Sequence, residues 1–122
     1  MRNFIKSFYE KYKQFEPVLC PYVNEKVHFT KTGFKHLLWK SGAPRSSYVI
    51  RERLEIVHIA PEILSKSGTL QEYEDEGKEF LCFIAIVQEK KYKVVITKSG
   101  EGVYRFVSII PNIKTGKRDN YL

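Results

Sequence analysis

Three groups of residues carry types and spacings that could do chemistry. The first is Thr32, His36 and Lys40, at four-residue steps, with Trp39 adjacent. On a helix those positions share one exposed face, so a titratable imidazole, an ammonium and an aromatic ring would stand together. Such a surface suits acid/base work beside a held phosphate; equally, His36 covers a helix edge while Lys40 is solvated. The second is Arg45, Arg51 and Arg53, around the start of the next helix pattern. The planar guanidinium fork matches phosphate oxygens, and a helix N-terminus adds oriented amides. Arg51 and Glu55, at i and i+4, are alternatively a surface ion pair. The third is the run Val103 to Ile110, which alternates as a strand. Tyr104, Phe106, Ser108 and Ile110 fall on one side, and Val103, Arg105, Val107 and Ile109 on the other. Arg105 is an edge charge or an active-site cation, and Ser108 a buried hydroxyl or a phosphate contact.

Other chemistries are demoted by spacing. His28, His36 and His58 lack metal-ligand intervals, and no HExxH, CxxC, P-loop or GxSxG pattern occurs, so no metal or cofactor is expected. Cys20 and Cys82 read as small buried side chains, with a disulfide as the alternative.

The elements that must position these groups follow from periodicity. Phe4, Ile5, Phe8, Tyr12 and Phe15 describe an amphipathic helix over residues 1–16, which packs on its own domain or docks on acidic lipid or a partner. Pro17 and Pro21 predict a connector. Val27-His28-Phe29 reads as extended. Thr30 or Thr32 caps a second helix ending near Lys40, and Ser46 or Ser47 caps a third with Ile50, Leu54 and Val57 on one face. Glu62-Ile63-Leu64 adds a short turn. Three strand-like runs follow, Glu79 to Val87, Tyr92 to Thr97 and Val103 to Ile110, separated by hairpin-length loops, with Leu70 to Tyr73 a candidate fourth strand. Helices first and an antiparallel meander second predict an α+β domain: two to three N-terminal helices on a four-stranded antiparallel sheet. The chain reads as one domain over residues 1–122, with a core over 26–112 and a basic tail over 113–122.

Composition points to a partner class. The 122 residues carry 21 Lys and Arg against 14 Asp and Glu, a formal charge of +7, and 14% are aromatic. Glu72, Glu74, Asp75 and Glu76 concentrate the acid in one run, so the remainder is more basic than the total shows. That favours polyanions. No apolar run approaches membrane-spanning length and the first residues lack a secretory h-region, so a cytoplasmic protein without a membrane partner is expected.

The stretch Val27 to Lys40, then Pro44-Arg45, Arg51 to Leu54, Tyr92 to Ile96 and Tyr104 to Ile110, resembles the small bacterial and phage-associated proteins of the barnase, EndoU, colicin-tRNase and RelE nuclease superfold. The resemblance covers roughly residues 26–112 and implies a metal-independent endoribonuclease, in which the 2′-hydroxyl attacks the adjacent phosphate to leave a 2′,3′-cyclic end. It implies His36 as base or acid, Lys40 with Arg45 or Arg53 as phosphate stabilisers, and Arg105 and Ser108 completing the site. Trp39, Arg51, Tyr92 and Tyr104 would contact the nucleic acid by charge or stacking. It further implies RNA as partner, tRNA or ribosome-bound mRNA included, and an acidic antitoxin or immunity protein as inhibitor. The departure from the pattern is a second proton-transfer group, which has no evident counterpart. A non-catalytic RNA- or DNA-binding module and a protein-interaction domain are the alternatives.

Overall fold

The computed structural model describes residues 1–70, 72–75, 79–98 and 102–112. Its first half contains α1 (Arg2–Tyr12), β1 (Val18–Cys20), β2 (Glu25–His28), α2 (Lys31–Leu38), β3 (Trp39–Lys40), β4 (Ala43–Pro44) and α3 (Ser47–Ile56). A 3₁₀ turn (Val57–Ile59) then leads into α4 (Ala60–Ser65). The second half is β5 (Glu72–Asp75), β6 (Glu79–Val87), β7 (Lys90–Lys98) and β8 (Tyr104–Pro111).

The α+β class and the antiparallel meander β5–β8 are present, but the sheet is larger than four strands and is mixed. Its order is β1-β2-β8-β7-β6-β5, curled, with β3 and β4 forming a separate small hairpin. β2 lies parallel to β8, with Val27 opposite Tyr104 and His28 opposite Arg105, and β1 returns antiparallel on β2. The expected Pro17–Pro21 connector therefore contains a strand. An unpaired β8 edge would leave backbone donors and acceptors open, and β2 satisfies them while burying Val27 completely.

Local chemistry accounts for the helix starts. The Thr30 side chain accepts from the Gly33 amide at 3.3 Å, and Ser46 accepts from the Val49 amide at 3.2 Å, each satisfying an otherwise orphaned donor. α2 stops at Leu38 rather than reaching Lys40, because Trp39 turns extended (φ −127°, ψ 150°) and pairs with Pro44. Ser41 and Gly42 turn that hairpin with positive φ of 53° and 81°. Likewise Gln88 and Glu89 (φ 50° and 69°) join β6 to β7 in a two-residue turn, tighter than the four-residue loop expected.

The core lies between the helices and one face of the sheet. Leu37, Leu54, Val57, Ile63 and Leu64 are buried together with Leu81, Phe83, Val94, Ile96, Phe106 and Ile109. α1 is attached through rings: Tyr12 is buried, its ring centroid 5.1 Å from Phe34 and 6.3 Å from Phe106. Its hydroxyl donates to the Thr30 carbonyl at 2.7 Å, and burial raises the Tyr12 phenol well above its ordinary value. Cys20 and Cys82 are both buried and form no disulfide with each other, Cys20 donating to the Ser67 carbonyl at 3.8 Å. The basic tail over 113–122, and parts of the acidic run and of the β7–β8 loop, lie outside the described residues. No helix among the described residues is long and apolar enough to cross a membrane.

Candidate phosphate-binding site

Strand β8 is irregular where the site forms. Val95 faces Ser108 but Ile96 faces Phe106, so Val107 is an extra residue and β8 bulges there. A bulge breaks strict alternation. Consequently Ile109, not Ile110, stands opposite Val94 in the core, and the alternation expected from the sequence, followed in burial by Tyr104, Phe106 and Ser108, fails beyond Ser108. Ser108, 8% exposed, meets α3.

From α3, Arg53 donates through Nη1 to the Ser108 hydroxyl at 3.3 Å. Its Nε is buried with no hydrogen-bond partner among the described residues. Burial lowers the Arg53 pKa, the neighbouring Arg45 charge lowers it further, and Glu52 opposes the shift. Arg45 is fixed from α2: its Nε donates to the His36 carbonyl at 3.0 Å and its amide to the Leu38 carbonyl at 2.8 Å. The Arg45 charge thus acts on Arg53, which itself holds the Ser108 hydroxyl. Among the described residues no carboxylate comes within ion-pair distance of either. Leaving the Arg53 cation desolvated and unpaired is costly, and an arriving anion offsets that cost.

A cleft of about 280 Å³ lies along the same helix, lined by Tyr48, Arg51, Glu52, Glu55, Lys90 and Tyr92 among others. Asn112 donates to Glu52 at 3.2 Å. Arg51 does not pair with Glu55 in an ion pair; its guanidinium stacks over the Phe4 ring at 4.3 Å. Glu52 and Glu55 are carboxylates that the sequence reading passed over as chemistry. The available signal was Glu52 lying directly between two arginines.

The structure therefore joins Arg53 and Ser108, sets Arg45 near enough for its charge to act on Arg53 while its Nε holds the His36 carbonyl, and places Arg51 and Tyr92 in the cleft along α3. His36 is exposed on α2, but Lys40 has left that helix for β3, so the expected Thr32–His36–Lys40 face does not form. Trp39, 48% exposed, stands on the same hairpin, and Tyr48 on the first turn of α3 is 73% exposed. Arg105 and Tyr104 belong to the part of β8 paired with β2. Tyr104 is not an open stacking platform: it is buried, its hydroxyl donates to Glu79 at 2.9 Å, and Lys98 covers its ring at 5.0 Å. Among the described residues no cluster of His, Cys, Asp or Glu could hold a metal ion. Comparison with protein-family models, curated proteins and solved structures found no match.

Proposed function

We propose that this chain binds the RNA backbone at Arg45, Arg53 and Ser108 and is a small metal-independent endoribonuclease. The observation that carries the reading is Arg53, partly desolvated, with a buried Nε lacking a partner and no carboxylate within ion-pair distance among the described residues, donating to the Ser108 hydroxyl with the Arg45 charge nearby. In that role the two guanidiniums hold the non-bridging oxygens of the scissile phosphate, and the charge that builds up on them during 2′-hydroxyl attack strengthens the contact. A base takes the 2′-hydroxyl proton and an acid returns one to the 5′-oxygen; His36 and Glu52 are the groups assigned to this exchange. Trp39 and Tyr48 offer rings on which unpaired bases stack. Lys40, next to Trp39 on β3, adds positive charge beside that ring. The α+β class and the antiparallel meander β5–β8 support a barnase- or RelE-like arrangement, and the basic composition supports an acidic inhibitor protein as a cytoplasmic toxin would need.

One observation favours a second reading. Among the described residues no imidazole or carboxylate side chain hydrogen-bonds to the Arg53–Ser108 pair, as a module that only binds nucleic acid would have it. The deciding experiment incubates end-labelled tRNA and total RNA with the protein in excess EDTA, with and without ribosomes, beside His36→Ala, Glu52→Gln and Arg53→Met. Discrete fragments with cyclic-phosphate ends, lost in the Arg53 variant, are the expected result. Intact RNA with salt-dependent binding in every condition assigns the binding module instead.

A further inference from the structure

α1 and α2 build a second surface that shares no residue with the arginine site. Because α1 is held by rings, Tyr9 lying 4.9 Å from Phe34, a groove of about 340 Å³ remains between the two helices. Ile5 and Tyr9 from α1, and Phe34 and Leu38 from α2, form its apolar floor. Arg2 and Lys6 flank it on one side and Lys31 and Lys35 on the other, all four exposed. Each helix thus contributes one apolar and one basic pair at i and i+4, so both stripes run along the groove. No acidic residue lines it, and the only carboxylate of α1, Glu10, pairs with Lys13 at 3.1 Å.

We infer that this groove docks an acidic amphipathic helix from a partner protein, with apolar side chains seated on the floor and glutamates or aspartates facing the four cations. Two features select that occupant. The rim is uniformly positive, which requires an acidic partner. The floor presents almost entirely apolar atoms, the ring of Tyr9 included, so it rewards burial of aliphatic side chains, as helix-in-groove recognition does, over contact with base edges. The inference stands independently of any activity on RNA.

The probe is a fluorescein-labelled helical peptide of about four turns, with leucines at three- and four-residue spacing and glutamates elsewhere. Controls replace the glutamates by lysine, or the leucines by serine, and vesicles containing phosphatidylserine are tested in parallel. Anisotropy should show saturable binding of the acidic leucine peptide alone. K31E/K35E should weaken it at least about tenfold, as should Ile5→Ser, while Lys26→Glu on β2 should not. Circular dichroism checks the fold, and the exposed lysine variants decide the matter if Ile5→Ser unfolds. No binding, equal binding of the lysine peptide, or indifference to K31E/K35E would overturn the inference. Binding to the vesicles that out-competes the peptide would overturn it in favour of a lipid surface.

Discussion

Arg53 on α3 and Ser108 on β8, 55 residues apart in the chain, are joined by a hydrogen bond of 3.3 Å at the point where β8 bulges. The bond ties a helix to the sheet, yet it leaves the guanidinium with a neutral partner, a repelling Arg45 neighbour and a buried Nε without a partner among the described residues. Stability alone does not account for such an arrangement, since a desolvated cation is better replaced by an apolar side chain of similar length.

Arg53→Met therefore separates function from folding. Its stability should stay within about 1 kcal/mol of the parent or rise, as for other buried charges replaced by apolar groups. Its RNA cleavage, or its RNA affinity if no cleavage occurs, should fall by about 100-fold, the scale of losing one preorganised donor. Urea denaturation and a cleavage assay on the same preparation check both. A large loss of stability with RNA activity retained would remove Arg53 from the site.

Gly33 tests the approach of α2 to β8. A Cβ placed there would stand 2.5 Å from the Phe106 carbonyl oxygen and 2.9 Å from the Tyr12 hydroxyl, so backbone must shift to admit it. Gly33→Ala should cost about 1–3 kcal/mol despite alanine's better helix propensity. Gly68→Ala, where nothing lies within 4 Å, should be close to neutral in the same denaturation series.

Tyr12→Phe removes the 2.7 Å bond to the Thr30 carbonyl while keeping the ring in the core. The expected loss is about 1 kcal/mol, the usual net value of one such bond. Ser46→Ala, which deletes the α3 cap, should cost a similar amount, about 1 kcal/mol. Melting curves for the two variants should move together. An unchanged Tyr12→Phe would mean that α1 is held by packing alone.

Alkaline pH should weaken the fold through Tyr104. Burial, and then the bond to Glu79, push its phenol from 10.0 up to about 12. The folded state thus favours the protonated phenol, and the unfolded chain loses that proton first. The stabilisation is complete below pH 10 and disappears as pH rises through 12. Denaturation midpoints should fall over that window, and Tyr104→Phe should flatten the fall. An identical pH profile in the variant would contradict the assignment.

Much of the secondary structure is legible locally. Glu79 to Val87 reads as a strand and is one over those same residues, and Ser46 caps α3 as its type and position predict. Apolar periodicity and capping are properties of a few neighbouring residues, so a single sequence displays them. The positions of Arg45, Arg53 and Ser108 were legible in the same way, as chemistry-bearing types on a basic chain, and so was the amphipathic pattern of α1.

Their assembly was not. The end of α2 at Leu38 depends on Trp39 pairing with Pro44, the parallel seat of β2 depends on an open β8 edge, and the bulge at Val107 appears only once β7 and β8 are aligned. Each is a contact between segments whose local preferences permit several pairings, and the choice is made by burial and by satisfying backbone donors and acceptors across the whole sheet. The sequence by itself determined the long helical and extended runs and which residues are basic or aromatic; only the tertiary structure decided the short strands β1, β3 and β4, that Arg53 meets Ser108 and that Lys40 leaves His36, because those pairings are set by long-range packing.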